Sequence, residues 1–76
     1  MAKASFYVYF TEEKLAEAAS ERLQGMGYTV DVSAEKDGRF LAEARKSMRE
    51  HDIDKAEQQM NAIVIDYTGE YDGYNF

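Results

Sequence analysis

Cysteine, proline and tryptophan are absent from this chain of 76 residues, and histidine occurs once. The lack of cysteine removes disulfides, thiolate metal ligands and a thiol nucleophile together. Basic residues are few, nine against fifteen acidic, for a formal net charge of −6. Affinity for phosphate backbones comes largely from lysine and arginine, so this balance argues against direct nucleic-acid binding. It argues equally against an anionic membrane surface, and it favours a basic partner. No apolar run is long enough for a membrane span or a signal peptide, so the expectation is a soluble cytoplasmic protein. With 45% hydrophobic residues and no proline the chain does not read as disordered. It is expected to form one small domain over residues 1–76. A chain of this size buries only ~60% of its unfolded surface, which makes each large side chain count.

Aromatic residues are what the chain has in concentration. Ser5-Phe6-Tyr7-Val8-Tyr9-Phe10 reads as a strand, with Phe6, Val8 and Phe10 on a core face and Tyr7 and Tyr9 on the other. Thr11 is placed to cap a following helix, and Glu12 and Glu13 suit its first turn. Leu15, Ala18, Ala19, Arg22, Leu23 and Met26 recur at helical spacing, which predicts a helix over about residues 12–26 with Gly27 just past its end. Tyr28-Thr29-Val30-Asp31-Val32 alternates as a second strand, and Asp37-Gly38 marks a tight turn.

The segment Phe40–Met48 carries two signals. Its residues are good helix formers, yet the turn before it asks for a hairpin, and the hairpin context decides for a strand. Arg49-Glu50-His51 is then a connector, and Asp52 or Asp54 caps a second helix. Ile53, Ala56, Met60, Ile63, Val64 and Tyr67 form its apolar stripe, and Gly69 ends it. The tail Glu70–Phe76 reads as a short edge strand or an ordered tail. The resulting order, β-α-β-β-α-β, predicts a ferredoxin-like α+β sandwich: a four-stranded antiparallel sheet with two helices on one face and the other face open.

Catalytic chemistry finds little purchase. His51 sits at a loop–helix junction and reads as a surface residue. No nucleophile elbow surrounds Ser5, Ser20, Ser33 or Ser47. Asp52, Asp54 and Glu57 lack the loop of a calcium site and read as helix-start charges. Glu70 and Asp72 alternate on one side of the tail, where charge protects a sheet edge from pairing. RNA-recognition domains share the element order and stack bases on aromatics of their central strands, but the expected third strand offers no aromatic on the open face. No catalytic residue, cofactor or metal site is expected.

The second helix and the tail carry a resemblance. Asp54-Lys55-Ala56-Glu57-Gln58-Gln59-Met60, closing with Tyr67-Thr68-Gly69-Glu70-Tyr71-Asp72-Gly73-Tyr74, resembles the end of the regulator of ribonuclease E activity B family. That family typically has an Asp-leading helix followed by Glu-Tyr-Asp-Gly-Trp. Phe6–Phe10 and Gly27-Tyr28-Thr29-Val30 also look like its relatives. The resemblance implies a ferredoxin-like domain and a non-enzymatic inhibitor that binds ribonuclease E as a protein partner. Tyr74 stands where the family has tryptophan. The acidic N-terminal helical region and acidic tail of longer members are not in this sequence. Tyr71, Asp72 and Tyr74, with Glu70, Tyr7 and Tyr9, are the expected partner-binding residues, since aromatics anchor interfaces and carboxylates steer a basic segment. The alternative is a small homodimeric module, pairing open sheet faces or binding a ligand or metal, with no ribonuclease link.

Overall fold

Alternation along the first strand, β1 (Ala2–Phe10), sets the architecture. Ala4, Phe6, Val8 and Phe10 are buried, while Ser5, Tyr7 and Tyr9 between them are half-exposed. The computed structural model describes all residues from Met1 to Phe76. Helix α1 (Glu13–Gly25), strands β2 (Thr29–Ala34) and β3 (Phe40–Met48), helix α2 (Ile53–Tyr67) and strand β4 (Gly69–Asn75) follow in order. The strands form one antiparallel sheet in the order β2-β3-β1-β4, the ferredoxin-like α+β arrangement expected.

Phe40–Met48 is a strand because it pairs on both sides. Ala44 stands opposite Phe6 of β1 and Val30 of β2, and Ala42 opposite Val8 and Val32. Two central ladders outweigh the helical propensity of alanine, glutamate, arginine and lysine. The alanines Ala4, Ala42 and Ala44 are fully buried beneath the helices, where small side chains leave room for the larger ones of the helix layer. The fifteen buried apolar residues form one cluster. Phe6 lies at its centre, edge-on to Tyr28 at 6.0 Å and tilted against Tyr74 at 5.9 Å between ring centroids.

The helix ends depart from expectation in detail. Residue Glu12, not Thr11, occupies the N-cap of α1, and no side chain caps it. The buried stripe of α1 runs through Ala16, Ala19, Ser20 and Leu23, leaving Leu15, Ala18 and Met26 at its margin. Arg22 lies outside the stripe and ties α1 to α2 through Asp66. Gly27 takes the left-handed conformation after α1 as expected, with φ +97. The Lys46 ammonium on β3 donates to the Met26 carbonyl at 3.1 Å and so satisfies part of that helix end.

The connector before α2 contains a single 3-10 turn, Glu50–Asp52. Asp52 occupies the N-cap position of α2, one of the two expected, but its carboxylate accepts the Arg49 N–H at 3.3 Å and closes the preceding turn, making no cap bond to α2. At the other end, α2 stops on Thr68 in the left-handed conformation, φ 55, and Gly69 already belongs to β4. The reason lies in packing: a Cβ on Gly69 would stand 2.6 Å from the Phe10 ring. The glycine is needed for close approach, so a β-branched residue takes the left-handed turn. No helix is long and apolar enough to cross a membrane.

Candidate functional site

Period-two alternation gives the sheet a second face, and both helices pack on the first. The second face is built by Tyr7 and Tyr9 of β1, Leu41, Glu43 and Arg45 of β3, Asp31 of β2 and Glu70 of β4. Across the ladders Tyr7 meets Glu43, Tyr9 meets Leu41 and also Glu70, and Asp31 meets Glu43. The aromatic of β3, Phe40, points with Ala42 and Ala44 to the helix side, so this face carries no ring on β3.

Charged side chains organise the face in pairs. Arg45 is clamped between Asp31 and Glu43, and the Asp31 hydrogen bond raises its pKa. At the β2–β3 hairpin, Arg39 lies over the Tyr9 ring with its guanidinium 4.1 Å from the ring centroid. Its Nε donates to Asp37 at 2.8 Å, and a second nitrogen reaches Glu70 at 3.9 Å. The Asp37 carboxylate also accepts the Arg39 N–H at 3.0 Å. These two hydrogen bonds, the backbone one first, hold the Asp37 pKa below its ordinary value. Arg39 went unread in the sequence, although extending the Leu41–Glu43–Arg45 alternation back past Phe40 by one step places it on this face.

The tail residues divide between the two faces. Glu70 lies opposite Tyr9, and Asp72 with Gly73 stands opposite Tyr7. Two residues opposing one make a β-bulge, and Gly73 there has φ +95. The extra residue turns Tyr74 back to the helix side, opposite Phe6, on the same side as Tyr71 opposite Val8. So Tyr7, Tyr9, Glu70 and Asp72 come together, while Tyr71 and Tyr74 belong to the helix layer.

Tyr71 donates its hydroxyl to the Glu57 carboxylate of α2 at 2.6 Å. Burial first, and that carboxylate second, push its pKa far above the usual tyrosine value. Tyr28, likewise raised by burial, donates to Gln59 at 2.7 Å. Two tyrosines thus pin α2 to the sheet. Tyr74 is 47% exposed and sits at the β4 edge, with Phe76 exposed beyond it.

No group of three histidine, cysteine, aspartate or glutamate side chains is gathered as a metal site. His51 is exposed beside Asp52 at 3.5 Å, in the turn between β3 and α2. A concavity of about 230 Å³ lies on the helix side, between β3 and the start of α2, lined in part by Tyr28, Lys46, Lys55 and Gln59.

Two comparisons bear on the chain. A family model described as regulator of ribonuclease activity B matches residues 2–75. A search of curated proteins finds no match.

Proposed function

Since the chain belongs to the regulator of ribonuclease activity B family, we propose that it restrains a ribonuclease by binding it as a protein partner, with no chemistry of its own. Ribonuclease E is the nuclease that the Glu70-Tyr71-Asp72-Gly73-Tyr74 motif favours. In this reading the protein works in the cytoplasm and touches the enzyme, not its RNA.

The observation that carries the contact surface is the uncovered face of the sheet. It holds two half-exposed tyrosine rings and carboxylates from three strands, with no element of the chain packed over them. Aromatic rings supply contact area at small entropic cost, and carboxylates raise the encounter rate with a basic segment. Tyr7, Tyr9, Glu70 and Asp72 form the contact on the open face. Tyr74 extends it around the β4 edge, and Tyr71 contributes by fixing β4 against α2 through Glu57.

Titration of ribonuclease E with this protein, read by calorimetry and by RNA cleavage, tests the proposal. Saturable binding with reduced cleavage is the expected result. Absence of both, with folded protein, overturns it.

A further inference from the structure

Tyr9 and Tyr7 are neighbours on the open face, each with a carboxylate residue across β4, but only Tyr9 carries a cation of this chain over its ring. Tyr9 has Glu70 across β4 and the Arg39 guanidinium over its ring at 4.1 Å. Tyr7 has Glu43 across β3 and the Asp72–Gly73 bulge across β4. The rings covered by a cation of this chain are Tyr9, Tyr28 and Tyr67, not Tyr7. Asp72 is exposed and forms no ion pair, whereas Glu70 shares Arg39.

We infer that the Tyr7 position is the uncovered counterpart of the Tyr9 position, and that it takes an arginine side chain of the partner protein. The guanidinium lies over the Tyr7 ring and against the Asp72 carboxylate, as Arg39 lies over Tyr9 while bonded to Asp37 at 2.8 Å, with Glu70 at 3.9 Å. This rests on the open-face reading above and names the chemistry that face recognises.

Arginine is favoured over lysine for a stated reason. A planar guanidinium stacks on a ring while its edge meets a carboxylate, and it sheds water more readily than an ammonium. The chain demonstrates that geometry with its own Arg39. A second carboxylate stands by at Glu43, whose ion pair with Arg45 is a loose 3.5 Å while Arg45 is held at 2.5 Å by Asp31. The bulge matters too: if Gly73 kept to strict alternation and did not bulge, Tyr74 would share the open face with Glu70 and Asp72 and crowd the ring.

The test titrates isotopically labelled protein with hexa-arginine and with hexa-lysine peptides at physiological salt, read by NMR. Expected is binding of hexa-arginine about fivefold tighter, with the largest shifts at Tyr7, Glu43 and Asp72. Tyr7→Leu and Asp72→Asn, each with unchanged melting temperature, should abolish the preference. Equal affinity for the two peptides, shifts centred on acidic residues of α2, or a preference that survives both substitutions overturns the inference. Ribonuclease E is titrated in parallel. Nuclease binding without any arginine preference sinks this inference alone, whereas no nuclease binding by the unsubstituted protein overturns the reading beneath it.

Discussion

Phe6 and Phe10 on one side of β1, and Tyr7 and Tyr9 on the other, are rings of similar size set in unlike surroundings. The phenylalanines are at most 1% exposed and lie under both helices. The tyrosines remain half-exposed among carboxylates and an arginine. A strand thus divides its rings by parity: one set is packed in the core, and the adjacent set is left uncovered by the helices. The helix side shows what tyrosine requires when it is covered, since Tyr28 and Tyr71 each find a hydrogen-bond acceptor on α2. Tyr7 and Tyr9 have no helix above them to supply one.

The division can be broken most strongly at Phe6. Phe6→Ala should cost about 3–5 kcal/mol by opening a cavity under both helices, enough to threaten folding of a domain this small. Tyr7→Ala, one residue away, should cost within about 1 kcal/mol. Urea unfolding of the two variants measures the contrast, and comparable losses would erase it.

Gly69→Ala comes next. Its new methyl would meet the Phe10 ring at 2.6 Å, with the Tyr9 carbonyl at 3.1 Å, and overpacking of this kind costs about 1–3 kcal/mol. The same substitution at Gly25, with nothing within 4 Å, should be harmless or mildly stabilising. Thermal unfolding separates the two.

Tyr71→Phe sharpens the role of the covered tyrosines. Loss of the bond to Glu57 should cost about 1 kcal/mol at neutral pH. Because folding raises the Tyr71 pKa, its contribution is fully present below the unfolded tyrosine value of about 10 and declines as pH rises beyond it. The unsubstituted protein should therefore lose stability in alkali more steeply than Tyr71→Phe.

The smallest effect belongs to the open face. Folding lowers the Asp37 pKa, so its contribution is present above the unfolded value of about 3.9 and is lost as pH falls through the lower folded one. Asp37→Asn should flatten only that acid limb, and NMR should show Arg39 released from the Tyr9 ring.

Much of the fold was legible because it follows from local periods. The alternations of β1 and β2, the stripe of α2 and the Asp37-Gly38 turn each reflect one face meeting one core. Phe40–Met48 was legible only through its context, because ladders to β1 and β2 oppose its own propensity. The helix ends were misread where a distant side chain decides: nothing local shows that Gly69 lies against Phe10, so the left-handed residue was placed one position late. The site was legible in its residue types and partly in its geometry. Counting by two fails across a bulge, and Gly73 sends Tyr74 to the helix side. Arg39 was missed because its role depends on a ring from another strand.

In the proposed function the two faces of β1 do separate work, one for the fold and one for the nuclease. The most direct measurement is ribonuclease E cleavage of RNA in the presence of Tyr7→Leu/Tyr9→Leu protein, with its melting temperature recorded alongside. The expected variant still folds, melts within a few degrees of the unsubstituted chain, and no longer restrains the nuclease. Undiminished restraint by that variant would contradict this separation.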